Sequence, residues 1–159
     1  MIKNNITIRE AVNSDAERIH EIQCAAVRGL CSAVYSPEII EGWLKNRSPA
    51  HYLRNIPAWN MYVAETEEKT VGFGGAVPGE IISTYVDPAY ARRGIGTALM
   101  RYGMKIANVK APGVIRIQST KNARPFYETF GFKVIRDIIL RRNDVEFPCY
   151  EMFRTGDAE

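Results

Sequence analysis

Apolar and polar positions change their period several times along this chain, and each change marks a new element. Residues 6–12 alternate, with Ile6 and Ile8 set between polar neighbours, as a strand with one covered face does. Ser14-Asp15-Ala16-Glu17 then reads as a capping box, and Ile19, Ile22, Ala26 and Leu30 recur on one helical face. A second helix opens at Ser36-Pro37-Glu38, with serine as N-cap and proline in the first turn. It carries Ile39, Ile40, Trp43 and Leu44, and a looser segment follows to Pro57. Residues 60–65 and 70–77 predict two strands joined by the polar turn Glu67-Glu68-Lys69, and 80–86 predicts a third, which together make an antiparallel meander. In the next helix Ile95, Ala98, Leu99, Tyr102 and Ile106 form one apolar stripe, opposite Thr97, Arg101 and Lys105. A strand at 113–118, a short helix at 122–130 ending at Gly131, and a strand pair at about 133–141 and 146–153 complete the order. The class is mixed α/β, without internal repeats or a composition break.

Composition adjusts this picture in a few places. A chain of 159 residues, 46% hydrophobic and 25% charged, suits one globular domain spanning residues 1–159. Lys plus Arg number 21 against 18 Asp plus Glu, a net charge of +3. That balance, with no long basic run and no basic face interleaved with aromatics, argues against a nucleic-acid module. The opening MIKNNITIREAV lacks the apolar region of a signal peptide, and no apolar run reaches membrane-spanning length, so the expectation is a cytoplasmic protein without a membrane partner. Cys24, Cys31 and Cys149 are odd in number and lack CxxC spacing, and only His20 and His51 join them, so neither a disulfide framework nor a metal site is expected.

The stretch Tyr90-Ala91-Arg92-Arg93-Gly94-Ile95-Gly96-Thr97 links the third meander strand to a helix. The first N–H groups of a helix have no internal partner, and its dipole leaves partial positive charge there. Glycines at 94 and 96 leave room for a bulky phosphate, and Arg92 and Arg93 add full charge beside it. A Walker A loop is absent, and the dinucleotide fingerprint would need glycine where the chain has Leu99. The pattern therefore predicts a phosphate-bearing cofactor of another class.

Two separated motifs and the element order resemble the GNAT superfamily of acyl-CoA-dependent N-acyltransferases over nearly the whole length. The first is Ala91-Arg92-Arg93-Gly94-Ile95-Gly96, similar to the family's Q/R-x-x-G-x-G/A, after the strand end Tyr85-Val86-Asp87-Pro88. Ala91 stands where the family has Gln or Arg. The second is Asn122-Ala123-Arg124-Pro125-Phe126-Tyr127-Glu128-Thr129-Phe130-Gly131-Phe132, which resembles N-A-x-x-F-Y-x-x-x-G-F.

The resemblance implies a GNAT-like fold: a central, mostly antiparallel twisted sheet with one splayed parallel strand pair, 80–86 and 113–118, and helices on both faces. It implies that the pantetheine arm of acetyl-CoA inserts into that split and pairs with main-chain groups of Tyr85 and Val86. The pyrophosphate would rest on the N–H groups of Arg92, Arg93, Gly94, Ile95, Gly96 and Thr97, with Asn122 and Arg124 as further cofactor contacts. The reaction implied is direct acetyl transfer to a primary amine in a ternary complex, without a metal. An alkylammonium must first lose a proton, and Glu80, placed as a subset of the family places its general base, is the candidate, with a water chain as the alternative. The Val86 N–H would stabilise the oxyanion, and Tyr127 would protonate the leaving thiolate.

A ping-pong route through Cys149 is the mechanistic alternative, and a catalytically silent acyl-CoA-binding sensor the functional one. A sensor would keep the loop and lose Tyr127 and Glu80. The acceptor, a small-molecule or protein amine, would lie between the segment 31–52 and residues 137–150, where Tyr35, Trp43, His51, Tyr52 and Trp59 cluster and Glu38 and Glu41 could attract a cation. Its identity stays open, as does the choice between monomer and homodimer.

Overall fold

The computed structural model describes residues 5–67 and 69–156, so Glu68 and the first four residues, which enter the sequence expectations above, lie outside the described residues. The elements run β1 (Thr7–Glu10), α1 (Ala16–Leu30), α2 (Pro37–Leu44), the short helices α3 (Ala50–Leu53) and α4 (Asn55–Ala58), β2 (Tyr62–Thr66), β3 (Lys69–Val77), β4 (Glu80–Val86), α5 (Ile95–Ala107), β5 (Val114–Thr120), α6 (Arg124–Glu128), β6 (Lys133–Arg142) and β7 (Val145–Thr155). The segment read as looser thus holds two short helices, the second of which includes Pro57.

One seven-stranded sheet has the order β1-β2-β3-β4-β5-β7-β6, and every neighbouring pair is antiparallel except β4 with β5. That parallel pair is reached by the crossover through α5 and is short: only Glu80 with Arg116 and Ile81 with Ile117 are in register. The β3–β4 ladder carries a bulge at the same level, where Ala76 pairs with Ile81 and Gly75 with Ser83, leaving Ile82 extra. A bulge bends and twists the strand that carries it. Beyond it, β4 parts from β5 and a gap opens in the middle of the sheet.

Alternation along β2 explains the two layers of helix. Tyr62 and Ala64 join the core under α5 with Ile95, Leu99 and Ile115, whereas Val63 packs with Ile19 and Ile22 of α1 on the other face. Ile19, Ile22 and Leu99 are fully buried, each contributing about 1.5–3 kcal/mol of apolar transfer.

Three local expectations need correction. The first turn before α1 is closed by the Asp15 carboxylate, which accepts the Val12 N–H at 2.8 Å, and not by Ser14. Leu30 is 46% exposed, since the last turn of α1 runs past the core. The buried line of α5 is Ile95, Leu99, Gly103 and Ala107, with Tyr102 and Ile106 at its edge; a Cβ at Gly103 would stand 2.1 Å from the Tyr62 hydroxyl, so a residue without a side chain lets the helix settle on the ring. Ser36 caps α2 as expected, accepting the Ile39 N–H at 3.2 Å. Among the described residues no helix is long and apolar enough to cross a membrane.

Candidate active site

Two cavities lie along the second half of β4. The first, of about 380 Å³, is lined by Thr84, Tyr85 and Val86, by the loop and first turn of α5, and by Asn122, Phe126 and Tyr127. The second, of about 320 Å³, is lined by Ile82, Ser83 and Tyr85 of the same strand and by residues from α1, the α2–α4 segment and the end of β6. Tyr85 lines both.

The loop builds an anion-binding end for the first cavity. Gly94 is the N-cap of α5 at φ 82°, ψ 6°, a left-handed conformation that glycine adopts without strain, and Arg92 shares it at φ 62°. Left-handed residues interleaved with others curl main-chain N–H groups into the kind of concavity that holds anions. The first N–H bonded back within this turn is that of Ala98, to Gly94 O at 3.1 Å, which leaves those of Ile95, Gly96 and Thr97 as open donors at the positive end of a 13-residue helix. Gly96 meets a steric demand from the other side: a Cβ there would lie 3.2 Å from Phe126 Cζ and 3.8 Å from Val86 Cγ2. The glycine thus lets α6 and β4 close around the first turn of α5.

The strand end feeding this loop is anchored. Asp87 accepts the Ala89 N–H at 3.0 Å and pairs with Arg18 of α1 at 2.7 Å, while Arg18 Nε donates to Thr70 O at 2.9 Å. Burial by itself would raise the Asp87 pKa, but the Ala89 N–H and the Arg18 guanidinium hold it below the ordinary value. The Asp87 N–H donates to Val71 O at 2.8 Å, on the β3 side. Main-chain groups of successive strand residues point to opposite sides, so those of Tyr85 also face β3, and those of Thr84 and Val86 face the gap. This corrects one expectation: Thr84, not Tyr85, joins Val86 in offering main-chain groups to a ligand in the split. Tyr85 contributes its ring, stacked on Phe73 at 5.4 Å between centroids.

Tyr127 is 7% exposed, packs near Phe126 and Phe132, and reaches the first cavity. Burial pushes its hydroxyl up to about 12, a hydrogen bond with Thr84 pulls it partly back, and Cys31 adds to the rise. Asn122 lines the same cavity, and its Oδ1 is buried without a hydrogen-bond partner. Its turn is fixed by Tyr35, whose hydroxyl accepts the Lys121 N–H at 3.1 Å and donates to Pro148 O at 2.6 Å. Tyr35 is therefore a strut between β7 and the turn before α6, rather than a wall of the acceptor region.

Of the sequence candidates, Tyr85, Val86, Arg92, Gly94, Ile95, Gly96, Thr97, Asn122 and Tyr127 come together around this cavity. Arg93 does not line it; its guanidinium lies over the Tyr90 ring at 5.2 Å. Arg124 is also outside, over Tyr150 at 5.1 Å and 3.5 Å from Glu128. Glu80 sits at the start of β4, outside both cavities. Strand geometry puts it roughly 13 Å from Thr84. Leu30 and Ala26 of α1 line the cavity as well, and the sequence offered no mark for them beyond helical periodicity.

None of the cysteines lines either cavity. Cys149 is fully buried, with the Tyr35 hydroxyl 3.5 Å from its sulfur, and burial raises its pKa. Burial also pushes Cys31 up to about 11. Neither thiol has the exposure or the thiolate character that a nucleophile needs.

The second cavity differs in character from the expected acceptor region. Trp43 is stacked on Phe147 at 4.8 Å and is mostly core, while Tyr52 bonds to Gln23 Oε1. Glu41 is turned outward to Arg28 at 2.9 Å, and neither Glu38 nor Glu41 lines the cavity. The charged groups that do line it are Arg47, Arg142 and His51.

Comparison with known proteins agrees with this geometry. Residues 31–152 match the acetyltransferase (GNAT) domain family. An uncharacterized N-acetyltransferase, YafP, of Escherichia coli is 28% identical over 133 residues, covering 84% of this chain and 85% of that protein. The crystal structure of a GCN5-related N-acetyltransferase from Rhodopseudomonas palustris superposes with a TM-score of 0.89 at 22% identity, covering 98% of each chain. The PaiA N-acetyltransferase from Thermoplasma acidophilum, solved in complex with coenzyme A, superposes with a TM-score of 0.75 at 23% identity, covering 95% of this chain and 99% of that one.

Proposed function

The chain belongs to the GNAT acetyltransferases, and from that premise we propose that it transfers the acetyl group of acetyl-CoA to a primary amine by direct attack within a ternary complex. One observation carries the proposal: β4 separates from β5 after Ile81 and Ile117, and the freed strand runs along two cavities that share Tyr85. A donor in one and an acceptor in the other would meet at a single stretch of main chain.

The pyrophosphate of the donor binds the open N–H groups of Ile95, Gly96 and Thr97, with Arg92 beside them. The pantetheine arm runs back along Thr84 and Val86 as an added strand. When the amine nitrogen attacks the thioester carbon, the carbonyl oxygen becomes an oxyanion, and main-chain N–H donors of the freed strand, that of Val86 foremost, stabilise it. The C–S bond then breaks and the thiolate takes the Tyr127 proton, while the proton shed by the amine nitrogen passes through water and restores the tyrosine. Asn122 holds the donor from the α6 side. Arg93 and Arg124 shape the rim electrostatically at most, given their stacking on tyrosines. The protein acts as one domain, in the cytoplasm, as a monomer or homodimer.

Acetyl-CoA is expected to raise the melting temperature and NAD to leave it unchanged, because the loop offers a pyrophosphate site without the third glycine of a dinucleotide fold. A ligand at 100 times its Kd stabilises by about 2.7 kcal/mol, which a thermal scan resolves easily. Absence of a shift at millimolar acetyl-CoA would remove the donor assignment. A silent sensor would show the shift but release no thiol with any amine.

Glu80 remains the proposed base, but its place at the far end of β4 lets it act only through intervening water. Glu80→Gln should therefore lower turnover by about tenfold or less and flatten the acidic limb of the pH–rate profile, with acetyl-CoA affinity unchanged. A profile identical to that of the parent protein would assign proton removal to water and desolvation alone.

A further inference from the structure

The acceptor cavity contains a charge pattern that ordinary amines do not suit. Its charged lining is Arg47, Arg142 and His51, and among the described residues no carboxylate joins them. Arg47 donates to Gln23 Oε1 at 3.1 Å, and Arg142 donates to the Arg141 carbonyl at 2.9 Å. Neither guanidinium is ion-paired among the described residues, although Arg9, Arg18, Arg28 and Arg136 all are. Both are partly buried. Uncompensated cations in a partly dry cavity repel an alkylammonium, so an acceptor that binds here must bring negative charge of its own.

Resting on the acetyltransferase reading above, we propose that the acceptor is an amine that also carries an oxyanion, a carboxylate or a phosphate, held by Arg47 and Arg142. The fork of a guanidinium matches either group with two parallel hydrogen bonds. The arrangement also orients the molecule. Arg47, Arg142 and His51 line an adjoining outer hollow as well, so they form the side of the cavity away from β4. Ser83 lies on the β4 side, where its Oγ is buried without a partner and can accept from or donate to a polar group beside the amine. The anion thus sits outward and the amine inward, toward Tyr85 and the thioester. Burial, with Arg47 and Arg54 nearby, lowers the His51 pKa, which keeps the ring neutral at pH 7 and leaves the two arginines as the anion's partners. Trp59 and Met61 supply an apolar wall between the two ends. The same positive field favours the free amine over the ammonium and so assists the proton loss that precedes attack.

The test uses acceptors matched in side chain, one member of each pair carrying the anion, with rates referred to the concentration of free amine. Phenylalanine and leucine are compared with their carboxamides for the carboxylate, and O-phosphoethanolamine with ethanolamine for the phosphate. Thiol release gives turnover, and calorimetry in saturating CoA gives binding without chemistry. The anionic member of at least one pair should show a kcat/KM and an affinity at least about tenfold higher than its neutral partner. The pair that shows it tells which oxyanion is read. Arg142→Gln and Arg47→Gln should each erase most of that preference, mainly by raising KM, with the melting shift produced by acetyl-CoA intact. Among the described residues Arg142 bonds only to the neighbouring Arg141 carbonyl, so its variant reads the charge even where loss of the Arg47–Gln23 bond weakens the fold. Equal binding of charged and neutral members, or binding of neither, would overturn the proposal. Loss of the donor reading would appear separately, as a missing acetyl-CoA shift in the parent protein.

Discussion

Tyr127→Phe is expected to lower acetyl transfer by about 10²–10⁴-fold while the Kd for acetyl-CoA stays within a few-fold. The ring remains, and with it the contacts to Phe126 and Phe132; only the hydroxyl oxygen of a residue that lines the first cavity is removed. Burial keeps that oxygen protonated and so available as a proton donor, while making it a weaker acid than an exposed tyrosine. Its pKa, pushed to about 12 by burial, lies well above that of a free thiol, about 8.5, so it stays protonated wherever the thiolate leaves. Accordingly, the variant's loss should be nearly constant from pH 6 to 10, with no limb belonging to the tyrosine in that window. A folded pKa above the unfolded value of about 10 also means that this group's contribution to stability is complete below pH 10 and declines as pH rises toward 12. Tyr127→Phe should remove that part of the alkaline instability. A decrease in turnover of less than about threefold would reduce Tyr127 to packing and leave the thiolate to depart unassisted.

Gly96→Glu is expected to abolish the melting shift caused by acetyl-CoA, with the Kd raised by at least about 100-fold. Two effects act together. A glutamate in the first turn of α5 sets a negative charge beside the three open N–H groups, and like charges about 4 Å apart repel by about 4 kcal/mol at an effective dielectric of 20, each 1.4 kcal/mol being a factor of ten. The new Cβ also meets the Phe126 ring at 3.2 Å, so the wall shared with Tyr127 must shift by a few tenths of an ångström. Circular dichroism should retain the parent spectrum, because Gly96 is on a half-covered turn and not in the buried line of the helix. A retained shift would move the phosphate site away from this loop.

Much of this architecture was legible from local pattern. Ser36-Pro37 opened α2 where a serine cap and an early proline should, and the 3.6-residue period of α1 placed Ile19, Ile22 and Ala26 inside. The loop from Tyr90 to Thr97 and the stretch from Asn122 to Phe132 announced the family because each motif is carried by consecutive residues. Where the reading missed, the deciding contact came from elsewhere in the chain. Gly103 belongs to the buried line of α5 because Tyr62 of β2 lies beneath it. Leu30 leaves the core and lines the first cavity because α1 outruns the sheet it packs on.

The sequence by itself determined the order of the strands and of the longer helices, and the open helix terminus at Gly94-Ile95-Gly96, since each depends on a few neighbouring residues and on backbone preferences that act locally. Only the tertiary structure decided the rest. Whether Tyr85 or Thr84 turns its main chain toward the split depends on the register of β4 against β3, and the width of the split depends on the bulge at Ile82. The charge of the second cavity depends on Arg47, just past α2, meeting Arg142, at the end of β6. In the sequence each arginine looks like one more surface cation, because a field is a sum over distances in space, and those distances exist only once folding has brought two distant segments to the same hollow.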